Sequence, residues 1–288
     1  MVRENFNTFG NAAVQLSIVF FLGVLALFGA PPQQKQATTP SAAADSKAAP
    51  ADSNDLSASE IQEIIRKFST REKEFKTARD NYTYHQTVKV EELSSDGDVG
   101  GVYQMQSDII FTPQGERIEK VVFAPMSSLR KVSLSPEDEK DIRSIMPFVL
   151  TIDELNKYNV QYQGRQKVDE LTTFVFKVGP KTIEKGQRYF EGQIWVDDRD
   201  YQIVKTYGKS VPDIRSKKGG NENLFPRFET YRQQIDGKYW FPTWTGADDT
   251  LQFSSGPVRI RIIIKYEDYK QFKSKINITY GEEAPQQK

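Results

Sequence analysis

Residues 189–209, YFEGQIWVDDRDYQIVKTYGK, decide the fold. QRYFEGQIWV and YQIVKTY, two runs rich in aromatic and β-branched residues, flank Asp197-Asp198-Arg199-Asp200. Aspartates cluster in turns because their side chains bond the local backbone, so this stretch predicts a β-hairpin. The same signature recurs on both sides. YNVQYQGRQKV and LTTFVFKV are separated by Asp169-Glu170, and RFETYRQQI and KYWFPTW by Asp236-Gly237, a strong hairpin signal. Upstream, Tyr82, Tyr84, Val88 and Val90 alternate with Thr83, His85, Thr87 and Lys89, followed by VYQMQSDIIF and ERIEKVVFAP. Downstream, Val258, Ile260, Ile262, Ile264 and Tyr266 share one face of a long strand, with Arg259, Arg261, Ile263 and Lys265 on the other. The expectation is an antiparallel, meandering sheet of about nine to eleven strands.

Two helices accompany it. Ser57 and Glu60 form a capping box opening SASEIQEIIRKFSTREKEFKTARD, where Ile61, Ile64, Ile65, Phe68, Phe75 and Ala78 make one apolar stripe. Glu72 occupies a position where that stripe should be apolar, and so narrows or interrupts it. Ser135-Pro136 begins a short second helix with Ile142, Ile145 and Met146 on one face, ended by Pro147. Residues 209–226 read as a long polar excursion with Arg215, Lys217 and Lys218. A solvated loop is preferred there over a lipid-headgroup or nucleic-acid site.

The chain has 288 residues, 39 Lys and Arg against 39 Asp and Glu, one His and no Cys. A neutral chain has no general affinity for nucleic acid. Without Cys there is no disulfide, thiolate nucleophile or Cys-based zinc site, and a single His makes a His-rich metal centre impossible. His85 has no second ligand near it on its strand. Asp197, Asp198 and Asp200 could suggest a carboxylate pair or a Ca²⁺ loop, but the Gly and distal Glu of that loop are missing and turn chemistry accounts for them. The expectation is no catalytic residue, no metal and no cofactor.

The first 55 residues read as appendage. Ala12–Ala30 is a charge-free run of nineteen residues, long enough at about 1.5 Å each to span a bilayer core. It is either a signal peptide or an uncleaved anchor, and Pro31-Pro32 after Phe28-Gly29-Ala30 fits a cleavage site poorly. Residues 31–55, PPQQKQATTPSAAADSKAAPADSND, carry nothing to bury and read as a flexible tether. The division expected is 1–30 membrane anchor or signal peptide, 31–55 tether, 56–280 one domain and 281–288 a polar tail, with the domain exported.

A sheet of this size presents far more inward positions than two helices can cover. The remainder must meet a second sheet, close into a barrel or line a cavity. The stretches 162–181 (YQGRQKVDELTTFVFKVGPK), 189–209 and 228–244 (FETYRQQIDGKYWFPTW) resemble the outer-membrane lipoprotein carrier and sorting superfamily, the LolA/LolB-like proteins and related periplasmic sensor domains. The most telling part is Phe190-x-Gly192-x-Ile194-Trp195-Val196-Asp197 with the strand through Ile203-Val204-Lys205. The resemblance covers residues 56–280. It implies a mainly β (α+β) fold: a strongly curved antiparallel sheet, an incomplete β-barrel, with one long N-terminal helix and one short helix over its concave face. It also implies a noncatalytic periplasmic or cell-envelope domain that holds acyl chains of lipoprotein or lipid in an apolar cavity. The strand residues expected to line that cavity are Met105, Ile109, Phe111, Phe174, Phe176, Phe190, Ile194, Ile260, Ile262 and Ile264. An anchor and tether would confine the domain to one membrane, beside membrane-bound partner proteins. The alternative is an envelope sensor or protein-interaction domain with a filled core and no ligand.

Overall fold

The computed structural model describes residues 56–112, 114–215 and 222–272. The expected anchor, tether and polar tail, and residues 273–280 of the expected domain, lie outside them. No described helix is long and apolar enough to cross a membrane.

The chain opens with α1 (Ala58–Arg79), whose N-cap Ser57 and Glu60 bond each other's backbone as the capping box requires. The strands β1 (Tyr82–Leu93), β2 (Val99–Phe111) and β3 (Arg117–Phe123) follow. Residues 124–135 then run without helix or strand to α2 (Pro136–Ser144), capped by the reciprocal pair Ser135 and Asp138. A single 3₁₀ turn, Leu155–Lys157, leads to the meander. This comprises β4 (Tyr158–Val168), β5 (Leu171–Pro180), β6 (Tyr189–Asp197), β7 (Ile203–Val211), β8 (Phe228–Ile235), β9 (Tyr239–Phe253) and β10 (Gly256–Gln271).

All ten strands form one sheet in the order β3-β2-β1-β10-β9-β8-β7-β6-β5-β4. Every pairing is antiparallel, and the long β10 returns the chain to β1, with Val88 opposite Ile264 and Val90 opposite Ile262. The edge strands β3 and β4 do not pair, so the sheet stays open and is no closed barrel. The hairpin tips behave as their residues dictate. Asp236 and Gly237 both have positive φ (54° and 66°), the twist-compatible turn for a tight hairpin. Asp197 accepts the amides of Arg199 and Asp200 at 3.0 and 2.7 Å.

The concave face holds the main core. Phe190 stacks on Phe148 with ring centroids 4.3 Å apart, and Phe68 of α1 meets Phe176 at 5.4 Å. The FxG pattern that marked β6 has a steric cause. Gly192 lies opposite Gly208, and a Cβ on either would sit 2.9 or 2.7 Å from the Phe190 ring. The pair of glycines leaves the seat on which that ring lies.

Glu72 does not interrupt the α1 stripe; it is the stripe's buried centre. Its carboxylate, fully buried, receives both bonds of 3.1 Å from the Arg232 guanidinium and one of 3.1 Å from the Ile203 amide. Arg232 also donates to the Phe148 carbonyl, so one ion pair ties α1, β8, β7 and the 148 segment together. Burial still pushes the Glu72 carboxyl upward, with Arg232 opposing it.

Candidate functional site

Core packing leaves a cleft of about 330 Å³ with an apolar floor near β1, β10 and β9, and a separate space of about 360 Å³ beside Phe148, Tyr158 and Tyr189. Its floor is Val90, Leu251, Ile260 and Ile262, each only 4–7% exposed. One wall is the strap formed by residues 124–135, contributing Val132 and Leu134, together with Ile142 of α2. The other wall is Leu224, Phe225 and Pro226, from the end of the 209–226 excursion. Lys131, Ser133, Glu222, Asn223, Ser254 and Ser255 form a polar rim. This division, an apolar floor beneath a polar mouth that also includes Asp138, is the composition of a site for an amphipathic ligand.

The walls are fixed by polar side chains. The Glu92 carboxylate, 4% exposed, accepts the consecutive amides of Arg130, Lys131 and Val132 at 2.7–3.1 Å. Ser128 bonds Val102 through both its amide and its hydroxyl, and the contact needs Gly101, where a Cβ would lie 2.6 Å from the Ser128 carbonyl. On the opposite wall, Glu222 accepts the amide and hydroxyl of Ser254, both at 2.7 Å, and these bonds hold its carboxyl below the usual range. Asn223 joins the two walls: it donates to the Ser135 hydroxyl at 2.8 Å and accepts from Arg188 at 2.8 Å. Arg188 in turn is ion-paired at 2.9 Å with the buried Asp141 on α2. Burial pushes the Asp141 carboxyl up, against the pull of Arg188.

Two smaller spaces adjoin the cleft. Beyond Ile142 lies a tight hollow, lined by Val88, Tyr103, Met105 and the polar Gln86, Glu119, Glu139 and Arg143. Beyond Leu224, Phe225 and Leu251 lies a cavity of about 170 Å³ lined by Lys209, Asp213, Arg215, Arg227 and Asp249.

Of the residues expected to line a cavity, Ile260 and Ile262 lie on the cleft floor and Met105 borders the hollow. The other seven stand elsewhere in the packing. Phe176 and Phe190 lie against Phe68 and Phe148, and Phe174 sits between the Arg165 guanidinium (4.6 Å) and the Tyr201 ring (6.3 Å). Ile194, Ile264 and Ile109 are fully buried, and Phe111 lies under the Arg79 guanidinium at 5.4 Å. The strap and the Leu224–Pro226 wall were missed because neither has a periodic pattern. The available signals were Leu129, Val132 and Leu134 as apolar residues at irregular spacing between Ser, Arg and Lys, and Leu224-Phe225 closing the excursion.

The carboxylates at the β6–β7 tip do not converge on a cleft. Asp200 accepts from the Trp240 indole at 3.1 Å, and Asp198 faces Arg165 at 3.5 Å. His85 pairs with Asp108 at 3.0 Å on the half-exposed side of β1. Among the described residues, no group of three or more His, Asp and Glu could hold a metal ion.

No protein-family model matches the chain, and no curated protein sequence matches it. Solved structures do. A DUF1329 family protein from Desulfovibrio piger is 12% identical over 74% of this chain and 92% of its own, at a TM-score of 0.35. A LolA superfamily protein from Nitrosomonas europaea is 14% identical over 74% and 93%, at 0.34. A domain from Vibrio parahaemolyticus described as outer membrane lipoprotein-sorting is 12% identical over 75% and 95%, at 0.33. At these scores the likeness does not carry their functions to this chain, although the superfamily that the three hairpins resemble is among the matches.

Proposed function

We propose that this chain is an exported, noncatalytic binding domain that holds an acyl chain of a lipid or lipoprotein in the cleft between the strap and the Leu224–Pro226 wall. The observation that supports it most is the apolar floor of Val90, Leu251, Ile260 and Ile262 beneath a polar mouth. Burying an acyl chain there is favourable by about 0.8 kcal/mol per methylene, with no reactive side chain needed. Residues 12–30 would hold the domain at the periplasmic face of a membrane, with residues 31–55 as its tether. The test is native mass spectrometry of the full chain after incubation with a fatty acid. One retained equivalent supports the reading, and a ligand-free protein at every concentration contradicts it.

A second reading, an envelope sensor or protein-interaction domain, is favoured by a different observation. The edge strand β3 and the residues after it expose Ile118, Val121, Val122, Phe123 and Met126. A protein that takes no apolar ligand but binds a partner lost on Val122→Lys would support that reading.

A further inference from the structure

We infer that the cleft takes a single, unbranched apolar chain of roughly ten carbons, and that Ile142 is the stop that sets this length. The inference rests on the acyl-binding reading above and narrows it to one ligand class.

Size comes first. A methylene needs about as much room as a liquid water, roughly 30 Å³, so 330 Å³ accommodates on the order of ten of them. The floor residues are no more than 7% exposed, so the floor itself is closely packed. A second space of about 360 Å³ lies beside Phe148, Tyr158 and Tyr189, but Glu154, Lys157, Glu184 and Arg188 border it and it shares no lining residue with the cleft. A diacyl or triacyl group would need a second apolar slot continuous with the cleft, and of the two adjoining spaces one has room for only about 10 Å³ and the other is lined with charged side chains.

The position of the stop follows from what lies beyond each end. Past Leu224, Phe225 and Leu251 the space is lined with Lys209, Asp213, Arg215, Arg227 and Asp249, where an apolar tail would strip charged groups of water. Past Ile142 the hollow has apolar Val88, Tyr103 and Met105, but room for only about 10 Å³. The Ile142 side chain borders both the cleft and this hollow and separates them. It is 5% exposed, and the neighbouring Asp141–Arg188 ion pair fixes that turn of α2.

The test is calorimetric titration of the full chain with the homologous 1-alkanols from hexanol to hexadecanol. Wild-type affinity should rise roughly three- to fourfold per methylene and then level off near ten carbons. Ile142→Ala removes three carbons and joins cleft to hollow, so its plateau should move out by two to three carbons. Ile142→Val, a milder change that keeps the packing, should move it by about one. Leu224→Ala opens the polar side and should leave the plateau where it was. Affinity that climbs without a break to hexadecanol, an unmoved plateau in both Ile142 variants, or a dialkyl lipid binding tighter than any single chain would overturn the inference. If no alkanol of any length binds, the acyl-binding reading itself has failed.

Discussion

Glu72 and Arg232 are both essentially buried and pair with each other in an apolar layer. Breaking such a pair leaves one charge uncompensated, which costs about 3–5 kcal/mol, whereas replacing both partners with apolar residues of similar size is often neutral or better. Glu72→Gln should therefore lower the unfolding free energy by several kcal/mol, and the double variant Glu72→Met with Arg232→Met should recover most of that loss. Equilibrium urea unfolding measures both, and a double variant worse than the single would contradict the account. The pair was half-legible. Glu72 stood out as a carboxylate in the apolar phase of α1, and Arg232 falls on the same face of β8 as Phe228 and Thr230. Only Glu72 reads as a fault in its own element, and its pairing with Arg232, 160 positions away, explains it.

At the scale of elements, the strap is held without secondary structure of its own. Three of its amides depend on one carboxylate, Glu92. Glu92→Ala should speed hydrogen exchange at Arg130, Lys131 and Val132 by at least tenfold while leaving the β5 and β6 amides protected; uniform exchange across all of them would contradict a local tether. The tie between β3 and α2 has a pH signature. Burial pushes the Glu119 carboxyl up, but Arg117 at 2.9 Å, the Ser107 hydroxyl and Arg143 outweigh it and leave it below 4.5. A depressed carboxyl stabilises the fold above its unfolded-state value and loses that contribution as pH falls through the folded one. The thermal midpoint should thus fall on acidification below about pH 4.5, and Glu119→Gln should shrink that fall. Equal slopes in the two proteins would remove Glu119 from the explanation. Elements of this kind escape a periodicity search. Hairpins announce themselves by alternation and turn residues, but a strap is positioned by a side chain 38 residues away.

For the whole molecule, the open ten-stranded sheet and its two helices follow from the hairpins, the Ser57–Glu60 capping box and the Ser135-Pro136 helix start. The distribution of empty space does not. Alternation tells which residues face inward, and it treats Phe176, Ile194 and Ile262 alike, yet Phe176 meets a helix ring and Ile262 faces the cleft. The difference arises from which covering segment lies above each strand, and the coverings over β1, β9 and β10 are the aperiodic ones. The central claim is that this uncovered strip is the working surface. Its most direct measurement is saturable binding of a fluorescent medium-chain fatty acid to the full chain and to Ile260→Gln, a change confined to the cleft floor. The account predicts one site in the wild type and at least a tenfold weaker affinity in the variant, with the fold intact by circular dichroism. Equal affinity in both, or no saturable binding to the wild type, would contradict it.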